Sequence, residues 1–138
     1  MMNASSFKEI GVGDSASFER TISERDVRDF AKLSGDRNPI HLSDSYAKKT
    51  KFGGRIVHGM FLGALCSTLI GMYLPGRNSL YIAQMLHFRK PVRVGDTVKI
   101  SGEVMSVSPA TKIVSIAILI KRDDQVVADG LATVQMLV

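Results

Sequence analysis

His58-Gly59-Met60-Phe61-Leu62-Gly63-Ala64-Leu65-Cys66-Ser67-Thr68-Leu69-Ile70-Gly71-Met72-Tyr73 is the one strongly apolar segment of the chain. It holds no Asp, Glu, Lys or Arg and is too long for an ordinary strand. It therefore reads as a helix, apolar nearly all round and buried on most sides. Pro75-Gly76 ends it, and its apolar run falls short of a membrane span. Gly59, Gly63, Ser67 and Gly71 recur every fourth position and make a slowly drifting stripe of small residues. Glycine inside a helix costs about 1 kcal/mol against alanine, so something must offset the stripe. A sheet packed tightly against it and a groove for a ligand are both readings of it, and they are compatible.

Downstream of this helix the pattern changes to strands. Leu80–Phe88, Thr97–Val107, Lys112–Lys121 and Val126–Leu137 are rich in β-branched and apolar residues. The second alternates cleanly, with Val98, Ile100, Gly102 and Val104 on one face and Thr97, Lys99, Ser101 and Glu103 on the other. Ser108-Pro109-Ala110 and Asp123-Asp124-Gln125 are turn signals between strands. Upstream, Ser17–Thr21 reads as a first strand. Ser23 reads as the N-cap of a helix to about Leu33, with Glu24 and Asp26 favourable in its first turn and Val27, Phe30, Ala31 and Ser34 on one face. A further helical turn is expected over Ser43–Lys49. One buried helix with four or five sequential antiparallel strands predicts an α+β fold, a curved sheet wrapping a single helix. At 138 residues the chain is expected to be one domain, residues 1–138.

Between the first helix and the apolar one lies Ser34-Gly35-Asp36-Arg37-Asn38-Pro39-Ile40-His41. Gly35, Asp36 and Asn38 form turns, and Pro39 disfavours a helical conformation at Asn38. Asp36 and His41 are thus expected in a stiff, turned loop, where a carboxylate and an imidazole can bind and deprotonate a water molecule. Turn chemistry accounts for every residue here except His41, so an Asx turn and a catalytic loop both remain open on these residues alone.

Composition narrows the classes. The lone cysteine, Cys66, cannot form an internal disulfide, and its apolar surroundings predict a buried, inert thiol. No metal-ligand spacing occurs among the cysteine and the three histidines, so no metal is predicted. The net charge of +5 is spread along the chain without a basic block or binding motif, which argues against nucleic acid and suits an anionic small ligand or acidic partner. Met1–Ile10 has neither an apolar leader core nor an Arg-rich transit pattern, so a cytoplasmic protein without membrane association is expected.

The stretch from Ser34 to His41, together with Ile56-Val57-His58-Gly59-Met60 and Phe88-x-x-Pro91-Val92-x-x-Gly95-Asp96, resembles the MaoC-like hydratases, and most of all the short (R)-specific enoyl-CoA hydratases. The likeness runs from the first helix through the strand after Asp96. It implies a hot-dog fold, a long central helix wrapped by about five antiparallel strands. It implies reversible addition of water to a trans-2-enoyl-CoA in fatty-acid metabolism, giving (R)-3-hydroxyacyl-CoA, with the thioester as substrate and no cofactor. By the resemblance Asp36 and His41 are the catalytic pair and the Gly59 N–H is the oxyanion donor. Ser67 supports the aspartate and bounds the acyl pocket, and a homodimer has active sites near its interface.

Beyond the resemblance, Asn38 reads as shaping the loop, and Ile70, near Ser67 along the helix, as a limit on acyl length. Arg55, Arg89, Lys90 and Arg93 flank the motifs and are candidate contacts for CoA phosphates, or for an acidic acyl carrier protein. His58 and His87 read as structural. A thioester hydrolase on the same fold and a non-catalytic acyl-thioester binding subunit are the alternatives.

Overall fold

The computed structural model describes residue 4 and residues 6–138. Five strands, β1 (Ser15–Thr21), β2 (Ser79–Phe88), β3 (Thr97–Ser108), β4 (Ile113–Arg122) and β5 (Gln125–Met136), form one antiparallel sheet in the order β1-β3-β4-β5-β2. Helices α1 (Glu24–Ser34), α2 (Pro39–Leu42) and α3 (Asp44–Ala47) follow β1. Helix α4 (Gly59–Thr68) continues into a wider π-helical turn, Leu69–Tyr73. This is the hot-dog arrangement. No helix among the described residues is long and apolar enough to cross a membrane.

The alternation read in the sequence sets the sheet's faces. Val98, Ile100, Gly102 and Val104 all point inward, and β4 repeats the pattern with Val114, Ile116, Ile118 and Ile120. Phe61, Leu62, Leu65, Cys66, Leu69 and Ile70 of the central helix join them in one core. Each such aliphatic side chain contributes about 1.5–3 kcal/mol on full burial. Burial also pushes the Cys66 thiol up to about 11, which leaves it protonated and inert as the sequence suggests.

The helix differs from expectation on one side. Met60 and Met72 are 64% and 63% exposed, and Ala64, Ser67 and Gly71 share that open face. Ser67 and Gly71 of the small-residue stripe therefore do not pack on the chain's own sheet, whereas Gly59 at its start meets the Phe88 ring of β2. A second close helix–sheet approach lies at Gly102, where an added Cβ would come within 2.9 Å of Leu69 Cδ2. Helix α1 begins as read. Ser23 Oγ accepts from Asp26 N–H, and the Asp26 carboxylate accepts from Ser23 N–H, a reciprocal capping box. Val27 and Ala31 are buried beneath it, whereas Ser34 is exposed and bonds back to the Phe30 carbonyl.

Arg55 fixes this upper layer. Its guanidinium donates to both Glu24 oxygens, at 2.9 and 2.5 Å, and to Asp44 at 2.8 Å, so one side chain ties α1 to α3. The bond from Arg55 holds the Glu24 carboxyl below its ordinary value, against the opposing effect of burial, and Glu24 in turn raises Arg55. Arg55 was a candidate phosphate contact from its place beside the motif. Its charge is instead spent on two carboxylates of this chain.

Candidate active site

Asp36 and His41 are positioned by successive local bonds. Gly35 closes α1 at φ 80°, a left-handed conformation that glycine adopts without strain. Asp36 N–H donates to Ser34 Oγ, Asn38 N–H donates to Asp36 Oδ1, and Ile40 N–H donates to Asn38 Oδ1, each at 3.1 Å. Asn38 is thus the N-cap of α2, and Pro39 is its first residue, where no N–H is needed. The stretch was expected to be loop throughout. Its second half is a helical turn, and His41 stands on it, because proline starts a helix as readily as it breaks one.

His41 Nδ1–H donates to the Ile56 carbonyl at 2.8 Å, which turns Nε2 toward Asp36 Oδ2, 4.0 Å away. A water oxygen bridging that gap would lie at ~2.8 Å from both groups. The imidazole is nearly buried and the carboxylate is half exposed. The ring of His58 stacks on His41, and its Nε2–H donates to the Asp36 carbonyl at 3.0 Å.

Asp36, His41 and His58 bring one potential metal donor each within 4.8 Å of one another. His41 Nδ1 and His58 Nε2 are each committed to a backbone carbonyl, which leaves His41 Nε2, His58 Nδ1 and the Asp36 carboxylate as the available donors.

A cavity of about 430 Å³ opens beside His41, lined also by Ile56, Val57, Gly59, Leu62, Phe88 and Val92, with Lys51, Arg89 and Lys90 among its remaining residues. Gly59 begins α4, and the N-cap residue, His58, gives that helix no side-chain cap bond. The helix N-terminus thus presents polar N–H groups and a favourable dipole to an apolar cavity.

The glycine serves a second purpose that the sequence did not show. An added Cβ would meet three atoms of the Phe88 ring at 3.1–3.2 Å. Gly59→Ala is therefore expected to tilt that ring and lower kcat/KM of any reaction run in this cavity about 10- to 100-fold. Phe88→Leu in the same chain should recover part of the loss. Equal losses with and without the second change would show that ring contact plays no part.

Of the residues singled out in the sequence, the structure brings together Asp36, Asn38 and His41, and Gly59 lines the same cavity as His41. Ser67 and Ile70 do not line it. Ser67 lies on the open helix face, with no bond to Asp36 within the chain, and Ile70 is in the core. Arg89 forms a forked pair with Asp129, and Arg93 donates to the Phe52 carbonyl at 2.5 Å. Lys51 and Lys90 make no ion pair among the described residues and line the cavity. Lys51 and Phe52 carried no local signal of a role here, and His58 and Phe88 stood in the quoted motifs without being assigned one.

Asp96 of the last motif accepts from Arg93 N–H and from Arg122, whose guanidinium also donates to the Pro91 carbonyl. It braces the loop that walls the cavity.

The fold and this paired acid–base site define a MaoC-like protein. The MaoC-like domain matches residues 8–125, and the chain belongs to that family. It is 42% identical over 130 residues to the 3-hydroxybutyryl-CoA dehydratase of Methylorubrum extorquens, covering 94% of this chain and 83% of that protein. It is equally similar to the (R)-specific enoyl-CoA hydratase of Rhodospirillum rubrum, 42% over 130 residues, covering 94% and 90%. The solved (R)-hydratase of Aeromonas caviae superposes with a TM-score of 0.90 at 36% identity, covering 94% of this chain and 98% of that one.

Proposed function

We propose that this MaoC-like hydro-lyase adds water reversibly to the C2–C3 double bond of a trans-2-enoyl-CoA, giving (R)-3-hydroxyacyl-CoA. The observation that carries the reading is the Asp36–His41 pair beside a cavity that the N-terminus of α4 also lines. Water is a poor nucleophile at neutral pH and needs a positioned base. Asp36 and His41 hold one water between them. Its oxygen bonds to C3, the pair takes its proton, and a proton is delivered to C2. Charge that builds on the thioester oxygen during attack is met by the Gly59 N–H. Elimination runs the same steps backward. Lys51 and Lys90, free of carboxylate partners, suit the phosphates of CoA, and the names of the relatives support an acyl thioester as substrate.

Mixing purified protein with crotonyl-CoA should bleach the absorbance of the conjugated thioester without releasing free thiol. Thiol release would establish the hydrolase instead. Inertness toward crotonyl-CoA, octenoyl-CoA and the matching carrier-protein thioesters would leave only a binding role.

The reading includes a homodimer. Edge strand β2 exposes Leu80, Ile82, Met85 and Phe88, each 48–52%, and α4 exposes Met60 and Met72. An unpaired sheet edge of this kind invites a partner. Sedimentation should give twice the 15.0 kDa chain mass; a monomer at micromolar concentration would overturn it.

A further inference from the structure

His58 takes no part in the reaction described above, yet it touches both members of the pair. Its side chain is 2% exposed. Its ring lies on that of His41, with centroids 3.9 Å apart and planes at 25°, and Phe30 packs against it edge-on at 5.0 Å. Its Nε2–H donates to the backbone carbonyl of Asp36. The other nitrogen, Nδ1, is buried with no hydrogen-bond partner among the described residues. A buried polar atom without a partner destabilises a fold, and such groups in native proteins call for an explanation. A phenylalanine would fill the same space between Phe30 and His41 without that cost. Stability therefore does not account for a histidine at this position.

The contacts with the pair do. Asp36 is exposed and follows a left-handed glycine, and among the described residues its other hydrogen bonds reach only to Ser34 and Asn38, two residues away on either side. The bond from His58 is the one that ties it to the central helix. His41 is held at its edge by the Ile56 carbonyl and on its face by the His58 ring. One side chain thus references both reacting groups to the start of α4, the helix end proposed to receive the thioester oxygen.

We infer that His58 is a positioning residue that holds Asp36 and His41 in register with the N-terminus of α4. This rests on the hydration reading above. The test is kcat, KM and Tm of the full chain with His58→Phe, which keeps a stacking ring and removes the donor, and His58→Gln, which keeps a donor and removes the ring. In His58→Phe, kcat should fall about 10- to 100-fold while KM stays within about threefold, and Tm should be unchanged or higher. His58→Gln should regain part of kcat at a lower Tm. Backbone amide signals of residues 35–38 should shift and broaden in His58→Phe while those of the sheet do not.

A wild-type kcat in His58→Phe, or a loss that merely follows the folded fraction, would overturn the inference. So would unchanged signals over 35–38. Should the wild type itself fail to hydrate any enoyl thioester, the functional reading falls, and the amide signals alone decide whether His58 positions the Asp36 segment.

Discussion

Asp36→Asn lowers the rate of crotonyl-CoA hydration about 10²- to 10⁴-fold, the range spanned by positioned acid–base groups, and leaves the fold intact. The substitution is nearly isosteric. The oxygen that accepts the Asn38 N–H survives as the amide oxygen, so the turn that precedes α2 persists. What disappears is the anionic Oδ2 that faces His41 across 4.0 Å. Tm should therefore stay within a few degrees and KM change little, because neither the cavity lining nor Lys51 and Lys90 is touched. His41→Gln should be as damaging, since it removes both the Nε2 that shares the water and the Nδ1–H that fixes the ring to Ile56. The double variant should lose scarcely more than either single one, because the two groups act on one water and their effects are not additive. The rate of absorbance loss of the conjugated thioester reads all three. More than a tenth of the wild-type rate in either single variant would remove the pair from the mechanism.

The sheet and the central helix were legible because their signals are local. In β3, four inward residues at spacing two are sufficient to assign face and strand, and the observed limits extend the expected ones by only a residue. Ser23 is likewise a local signal, since its cap bond closes within three residues. That Asp36 and His41 meet was legible because both partners lie in one short motif. The remainder depends on contacts that no window contains. Arg55 finds Glu24 31 residues earlier in the chain, and its sequence neighbours say nothing of that. The Phe88 ring comes to rest on Gly59 only because β2 ends beside the start of α4. His58 read as structural, and it does bond backbone, but that of Asp36, 22 residues away. Pro39 misled for a different reason. The same ring that forbids a helix interior favours its first residue, and only the Asn38 cap bond decides between them. The open face of α4 misled because hydropathy reports that a surface is apolar, not whether the chain itself covers it.

Gly130→Ala should be strongly destabilising, for it has the closest Cβ clash among the glycines described. Gly130 lies in β5 opposite Leu86 of β2 on one side and Ile118 of β4 on the other. An added Cβ would stand 1.8 Å from the Met85 carbonyl oxygen, 2.8 Å from its carbon and 3.0 Å from Leu86 Cα. These are backbone atoms, so no rotamer change relieves the clash; the strands themselves must part. Glycine in a strand commonly marks such a close approach of another backbone. Strand β2 is an edge strand with β5 as its one neighbour in the sheet, so it has no second ladder to hold it in place. The expected loss is at or above the top of the range for overpacked sites, about 3 kcal/mol, or roughly 10 °C in Tm for a chain of this size. Function should fall with it, since β2 carries Phe88 and the exposed apolar row proposed to meet a second copy. Gly11→Ala is the control: an added Cβ there meets nothing within 4 Å, and Tm should move by no more than about 2 °C. Thermal unfolding of the two variants side by side is decisive. Equal, small shifts would mean that β2 does not press on β5 as described, and the register of that strand pair would have to be redrawn.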